Sequence, residues 1–276
     1  MVGDEGGRRR QPAVTGAYGE TVAAGWHAAA GVVYQPLAAA LVAASPIELA
    51  GARVLDVGTG AGAAAAVAHA VGASVIAVDL SAVMLCATPG VAWPRAAADV
   101  QTLPFRSGVF HVAIAAFVVN HVDPAGALAE MGRVVRPGGV VLASSWMRGS
   151  DPVKASIDAV LADHGWEPPG WYVRMKSVTD EVAGDPDRLA LAAASAGLVD
   201  ITAAVHEEPL GAGDAAAVVR YRLATPHIAP WAAGLNMSAM RAVTAQAERL
   251  VGPIVDDWHP AAILLTARTP GRYDRR

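Results

Sequence analysis

The feature that most constrains this 276-residue chain is a glycine-rich loop between an apolar strand pattern and a helical segment. The stretch Val54-Leu-Asp-Val-Gly-Thr-Gly-Ala-Gly62 has glycine at three alternate positions, and an alanine-rich helix is predicted over 61–71. Because glycine has no Cβ, the backbone can turn tightly and a ligand can lie against it, near the N-terminal end of the helix. The loop therefore predicts an α/β fold with a ligand site at a strand end.

The spacing of the glycines and one acidic residue narrow the type of ligand. Gly58, Gly60 and Gly62 follow a Gly-x-Gly-x-Gly pattern, whereas a loop that binds a dinucleotide pyrophosphate follows Gly-x-Gly-x-x-Gly. Asp56 stands two positions before the first glycine, where its carboxylate would repel phosphate and attract an ammonium group. The motif favours a nucleoside ligand with an ammonium group over a nicotinamide dinucleotide.

The same alternation of strands and helices continues on either side of the loop. Strands are predicted over 53–57, 74–78, 91–97, 110–116 and 139–145, with helices over 61–71, from Ser81 onward and over 124–135. Strands separated by helices of this length form right-handed crossovers and a parallel sheet. We therefore expect a flexible tail over 1–15, N-terminal lid helices over 16–50 and an α/β core over 51–150.

The remaining part, 151–276, is expected to combine a helical cap with the last two strands. Helices are predicted over 151–164, 187–196, 214–223 and 238–251, strands over 198–205 and 261–268, and a loop over 165–172. Gly197 is a suitable C-terminal cap for the second of these helices.

Two further aspartates follow predicted strands. Asp79 lies about twenty residues after the glycine loop, where an acidic side chain can bind both ribose hydroxyls. The alternative is that it caps the next helix, but Ser81 is the better cap candidate. Asp99, after the third strand, is either a partner for an adenine amino group or an ordinary turn aspartate.

Together these motifs resemble the class I S-adenosylmethionine-dependent methyltransferases, specifically the small-molecule group called type 11. The matching stretches are 54–62, 78–81, 98–105, 110–124 and 130–139. The resemblance implies a doubly wound Rossmann-like sheet of seven strands whose last strand, 261–268, is antiparallel. One departure is His111, which replaces the aspartate that commonly begins the fourth strand; we expect no functional consequence.

The resemblance also implies a set of residues that bind S-adenosyl-L-methionine. Those expected to contact it are Tyr18, Asp56, Gly58, Thr59, Gly60, Gly62, Asp79, Leu80, Asp99, Val100, Ala116 and Phe117. Asp56 and the glycine loop would hold the methionine end, Asp79 the ribose, and Asp99 with Val100 the adenine rim. Tyr18 resembles a tyrosine that closes over the cofactor in such enzymes.

Methyl transfer from a sulfonium is an in-line displacement with an excellent leaving group, so alignment and desolvation can supply much of the catalysis. His121 is the first candidate for a general base, and the alternative is that it only shapes the pocket. His27, His227 and His259 are weaker candidates. The adjacent acidic pair Asp256-Asp257 has no metal-ligand pattern around it, so no metal is expected.

Aromatic residues outside the core motifs are candidates for the part of the site that binds the methyl acceptor. The candidates for contact with a hydrophobic or aromatic acceptor are Trp26, Tyr34, Trp146, Trp171, Tyr221 and Trp231. The alternative is that they only pack the cap onto the core. A secondary metabolite is one candidate for this acceptor.

Charge and composition exclude several other classes. Lys and Arg number 21 against 25 Asp and Glu, giving a formal net charge of −4, which disfavours a nucleic-acid partner. Cys86 is the only cysteine, so there is no intrachain disulfide. The longest apolar stretch, 28–44, is interrupted and shorter than a membrane span. We expect a cytoplasmic monomer or homodimer; the alternative function is a non-methylating member of the fold, such as a cyclase or a cofactor-binding adaptor.

Overall fold

Seven strands form one sheet in this computed structural model, which describes residues 19–87, 90–149, 151–210 and 214–271. The strands are β1 (Arg53–Val57), β2 (Ser74–Asp79), β3 (Arg95–Ala97), β4 (Phe110–Ala116), β5 (Val135–Trp146), β6 (Val199–Glu207) and β7 (Ala261–Arg268). Their order across the sheet is β3-β2-β1-β4-β5-β7-β6. Strands β1 to β5 pair in parallel, and β7 runs antiparallel to both neighbours. The predicted fold class is confirmed.

The chain order reverses between β1 and β4, which are adjacent in the sheet. The chain moves outward from β1 through β2 to β3 and then returns to the other side of β1 to form β4. In open α/β sheets such a switch point leaves a crevice at the carboxyl ends of the two strands. The glycine loop follows β1 and therefore lies at this crevice.

Eleven helices are described around the sheet. They are α1 (Glu20–Ala29), α2 (Gly31–Ala43), α3 (Ala63–Ala70), α4 (Ala82–Cys86), α5 (Pro124–Val134), α6 (Pro152–Asp163), α7 (Gly170–Ala183), α8 (Pro186–Ser195), α9 (Ala215–Leu223), α10 (Ala229–Ala233) and α11 (Met237–Val251). Ser81 caps α4 as predicted, because its Oγ accepts a hydrogen bond from the Met84 backbone N–H at 3.3 Å.

Three regions differ from the predicted elements. Helix α7 begins at Gly170, inside the stretch expected to be a loop over 165–172. Its buried side chains Met175, Thr179 and Ala183 form a single narrow stripe at four-residue spacing, which gives a weak periodic signal. The five-residue helix α10 was not predicted. Strand β5 begins at Val135, so part of the segment expected to be a turn before 139 is extended.

The core has one cluster on each face of the sheet and a third cluster above its carboxyl edge. Successive β1 residues Val54 and Leu55 are fully buried on opposite faces, which explains why the strand is apolar throughout. The third cluster joins residues of α2, α6, α9 and α11 with Phe117, which follows β4. These helices therefore form a cap over the crevice.

Helices α1 and α2 are apolar and meet at a bend of 66°. Within the described ranges no single helix is long and apolar enough to cross a membrane, although this bent pair meets both criteria when its two parts are taken together.

Candidate active site

The crevice at the switch point opens into a cavity of about 1060 Å³ between the sheet and the cap. All the residues predicted to bind the cofactor line it, except Tyr18, which lies outside the described residues. Those that line it are Asp56, Gly58, Thr59, Gly60, Gly62, Asp79, Leu80, Asp99, Val100, Ala116 and Phe117. Segments that are distant in sequence therefore meet at one wall of one cavity.

The glycine loop requires left-handed backbone conformations at all three glycines. The φ angles of Gly58, Gly60 and Gly62 are 65°, 52° and 84°. A side chain at these angles would be strained, which is the physical reason for the Gly-x-Gly-x-Gly pattern. The backbone N–H of Thr59 donates to the Val78 carbonyl oxygen at 2.9 Å, which ties the loop to β2.

Asp56 is buried beneath this loop and only one of its carboxylate oxygens has partners. Its Oδ2 accepts hydrogen bonds from Thr59 Oγ1 at 2.6 Å and from the Ala65 backbone N–H at 3.0 Å. Its Oδ1 has no partner among the described residues. Burial raises the pKa of Asp56 from 3.8 to about 7. A buried carboxyl with an unsatisfied oxygen fits a cationic ligand group, because an ammonium would compensate the ionised form.

Asp79 joins the end of β2 to the glycine loop. Its Oδ2 accepts a hydrogen bond from the Gly60 backbone N–H at 2.9 Å, and its Oδ1 accepts one from the Ser81 N–H at 2.8 Å. Burial raises the pKa of this carboxyl. Each oxygen keeps acceptor capacity for a ligand hydroxyl. Asp79 thus shapes the loop and is also available for the predicted ribose contact.

Asp99 is a turn aspartate, which was one of the two interpretations of this residue. Its Oδ1 accepts a hydrogen bond from the Gln101 backbone N–H at 2.9 Å. The residue still lines the cavity beside Val100, so the turn does not remove it from the ligand. The turn fixes the side chain where a ligand amino group could meet its other oxygen.

Phe117, at the end of β4, is one of two described non-glycine residues with a left-handed backbone, at φ 58°. Its N–H donates to the carbonyl oxygen of Ser144 at 3.1 Å and contacts Ser144 Oγ at 3.2 Å. Its ring packs 4.5 Å from that of Trp146 and 5.0 Å from that of Tyr34. Backbone strain of this kind concentrates at functional sites, where the surrounding structure maintains it.

A group of aromatic side chains also lines the cavity, and one of them, Trp26, lies beside Gly60 of the glycine loop. Trp26, Tyr34, Trp146 and Tyr221 line it, and Tyr34 lies at the centre of the group, with ring centroids 5.0, 5.8 and 6.0 Å from those of the other three respectively. Burial raises the pKa of Tyr34 to about 12, so its phenol is neutral at physiological pH. We call these four residues the aromatic wall.

Trp171 and Trp231, which were expected to contact the acceptor, do not line the cavity. Trp171 lies in helix α7, where the side chains of neighbouring residues point about 100° apart, so Trp171 and Tyr172 face different directions. The next residue, Tyr172, faces inward and stacks on His227 with 3.8 Å between ring centroids and 3° between planes. Trp231 packs against the apolar cluster of the cap.

His121 lines the cavity, but its surroundings are unsuited to a general base. Its Nδ1 lies 3.2 Å from Met175 Sδ and its Nε2 lies 3.3 Å from Asn120 Nδ2, so both ring nitrogens contact protein atoms. Burial, with a smaller contribution from nearby Lys176, lowers its pKa to about 4. The neutral imidazole of so weak a base favours the pocket-shaping interpretation.

The other candidate histidines, His27, His227 and His259, also line the cavity. His227 is nine-tenths buried, and burial lowers its pKa to about 2. The ring is therefore neutral throughout the physiological range.

Two cationic residues of the cavity wall were missed by the sequence reasoning. Lys154 Nζ lies 3.5 Å from the centroid of the Trp146 ring and 3.2 Å from Asp151 Oδ2, and burial lowers its pKa to about 8. Arg222 donates from Nε and Nη2 to the two carboxylate oxygens of Asp158, at 2.7 and 2.6 Å. The residues of the Arg222–Asp158 pair are 64 positions apart, so no local pattern could indicate it.

The strand order, the left-handed glycine loop and the acidic residue at the end of β2 define the class I methyltransferase fold. Residues 55–143 match the family model described as "Methyltransferase domain". Residues 55–143 therefore carry a methyltransferase domain, as the resemblance of the motifs implied.

Among curated proteins, the chain is similar to the demethylmenaquinone methyltransferase of Mycolicibacterium paratuberculosis, with 34% identity over 108 residues, 39% of this chain and 47% of that protein. The chain thus spans about half the length of the curated relatives it matches.

Two solved structures share the fold. Phosphoethanolamine N-methyltransferase 2 of Haemonchus contortus, in complex with S-adenosyl-L-methionine, has a TM-score of 0.55 at 21% identity, covering 86% of this chain and 52% of that one. The [4+2]-cyclase SpnF has a TM-score of 0.53 at 19% identity, covering 86% and 81%.

Proposed function

We propose that this protein is an S-adenosylmethionine-dependent methyltransferase whose acceptor is a small hydrophobic or aromatic molecule. The observation that carries the proposal is the single cavity that joins the glycine loop, Asp56 and Asp79 to the aromatic wall. When bound, S-adenosylmethionine supplies a methyl group on a positively charged sulfur, from which an acceptor atom displaces the thioether in line. The cavity has room for both a nucleoside and an acceptor.

The residues of the glycine-loop wall fit that cofactor. The unpartnered Oδ1 of Asp56 would face the ammonium group, and the remaining lone pairs of Asp79 would accept from the ribose hydroxyls. Leu80, Asp99 and Val100 would contact the adenine. Ala116 and Phe117 would lie against the methionine side chain. All of these residues line the cavity.

The rest of the cavity would promote transfer by alignment and by exclusion of water. The aromatic wall offers flat apolar surfaces against which a ring can be positioned. His121 is neutral and both its nitrogens contact protein atoms, so we assign it to the shape of the pocket rather than to proton transfer. The name of the curated relative, demethylmenaquinone methyltransferase, points to a quinone-like acceptor. We further propose a cytoplasmic monomer or homodimer with no nucleic-acid or membrane partner.

The cofactor assignment is tested by calorimetric titration with S-adenosylmethionine, S-adenosylhomocysteine and NAD. We expect both sulfur ligands to bind, since Asp56 favours an ammonium group and the loop lacks the spacing of a pyrophosphate site. Binding of NAD alone would overturn the assignment.

The alternative is a non-methylating member of the fold, a class to which the [4+2]-cyclase SpnF belongs by its name. The two functions are separated by incubating the protein with S-adenosylmethionine and a panel of aromatic acceptors. A methyltransferase produces S-adenosylhomocysteine and methylated acceptor in equal amounts. Cofactor binding with no S-adenosylhomocysteine from any acceptor would favour the alternative.

A further inference from the structure

We propose, on the basis of the function proposed above, that Arg222 and Lys154 form an anion subsite that binds a carboxylate of the methyl acceptor. The acceptor would be a flat aromatic acid whose ring lies on the aromatic wall. Both cations line the same cavity as the glycine loop, and each pairs with an aspartate that also lines it, Arg222 with Asp158 and Lys154 with Asp151.

Arg222 has donors that the protein does not use. A guanidinium has five N–H donors, and Asp158 accepts two of them, from Nε and Nη2. In the part of the chain that the structure describes, Nη1 has no hydrogen-bond partner, although the residue is only 8% exposed. Nη1 is not among the fully buried polar atoms that lack a partner, so water or a ligand in the cavity can accept from its N–H groups. The remaining N–H groups, on Nη1 and Nη2, point in the parallel arrangement that pairs with the two oxygens of a carboxylate.

Arg222 shares the cavity wall with other cationic side chains, among them Lys154 and Lys176. The pKa of the neighbouring His227 is lowered first by burial and then by Arg222, with His121 and Lys176 acting in the same direction. Lys154 lies close enough to Arg222 and Lys176 for both to lower its pKa. Asp158, Asp151 and Asp180 already pair with Arg222, Lys154 and Lys176, so a single carboxylate that accepts from the unused donors of Arg222 is a better match than a doubly charged phosphate.

The aromatic residues beside these cations indicate that the uncharged part of the ligand is an aromatic ring. Tyr221 precedes Arg222 in α9, and its ring lies 6.0 Å from that of Tyr34 in the aromatic wall. Lys154 Nζ lies over the face of Trp146, which belongs to the same wall. A carboxylate held by the cations therefore places an attached ring against the aromatic wall.

The subsite is tested with 2-naphthoate and its neutral analogue 2-naphthamide, titrated calorimetrically into the full chain with and without S-adenosylhomocysteine. We expect the acid to bind about tenfold more tightly than the amide, the ratio that corresponds to one charge-assisted hydrogen bond. In Arg222→Met, which leaves Lys154 in place, this ratio should fall by about threefold or more. The double variant Arg222→Met/Asp158→Leu should behave in the same way, and it removes the risk that an unpaired Asp158 prevents folding.

Arg220→Met is the matched control, because Arg220 lies on the same helix but is exposed, is absent from the cavity lining and pairs with Asp214 at 3.4 Å. It should retain the full ratio. Equal binding of acid and amide, no binding of either, or a ratio that survives the loss of Arg222 would each overturn the subsite. If the ratio behaves as expected while S-adenosylmethionine fails to bind, the proposed function fails and the anion subsite stands.

Discussion

Replacing Asp56 by asparagine should stabilise the ligand-free protein at alkaline pH while weakening cofactor binding. The carboxyl is buried, its Oδ1 lacks a partner among the described residues, and its pKa is raised from 3.8 to about 7. A raised carboxyl pKa means that the folded state binds more protons than the unfolded state between these two values. Stability therefore falls as pH rises through this window and levels off above about 7.

The size of the effect follows from the two pKa values. The raised pKa of Asp56 lowers the free energy of unfolding by about 2 kcal/mol at pH 5 and by about 4 kcal/mol at pH 8. Asparagine does not titrate, and its amide oxygen can still accept from Thr59 and Ala65. The stability of Asp56→Asn relative to the native protein should thus increase by roughly 2–3 kcal/mol from pH 5 to pH 8.

The assay is urea denaturation of both proteins, without cofactor, at pH 5, 6, 7 and 8. Comparing the two proteins at each pH cancels the other titrating groups and any fixed cost of the amide. A stability difference that stays constant with pH would refute the reasoning, because it would mean that Asp56 is ionised throughout. Calorimetry at pH 8 should show weaker binding of S-adenosylmethionine to the variant, since its ammonium group loses a charged partner.

Three further substitutions test the site. Asp79→Ala should weaken S-adenosylmethionine binding by about 1–3 kcal/mol in calorimetry through the loss of charged hydrogen bonds; unchanged affinity would contradict the ribose contact. His121→Ala should raise the KM for the acceptor and leave the pH profile between 5.5 and 8 unaltered, whereas a loss in kcat of about 100-fold would make it a base. Gly60→Ala and Gly51→Ala should each lower stability by about 1 kcal/mol, because both glycines have positive φ. Only Gly60→Ala should also weaken cofactor binding, since Gly51 does not line the cavity.

The fold could be predicted because its sequence patterns are local, and the same holds for the cavity wall formed by the glycine loop, Asp79 and Asp99, which we call the cofactor wall. The glycine loop, Asp79 and Asp99 each follow a strand, and the carboxyl ends of parallel strands meet at one edge of the sheet. The left-handed angles of the loop require glycine, so the conformation is visible in the sequence itself. By contrast, the left-handed backbone of Phe117 is imposed by its contacts with Ser144 on the neighbouring strand, and no property of phenylalanine predicts it.

The acceptor side could not be predicted in the same way because it is built from residues far apart in the chain. Arg222 meets Asp158 across 64 positions, and Tyr172 meets His227 through a helix whose buried stripe is too narrow to detect. The choice of Trp171 instead of Tyr172 was wrong because the face of a helix cannot be assigned before the helix itself is recognised.

The residues of the cofactor wall and those of the proposed acceptor site belong to separate parts of the chain. The cofactor wall depends on backbone geometry within 55–143, whereas the Arg222–Asp158 pair joins two helices of the cap. Substitutions at the pair alter the charge offered to the acceptor without touching the glycine loop. The cap can therefore change its ligand while the cofactor wall stays intact, so a shared fold and a matching methyltransferase domain do not by themselves assign the acceptor.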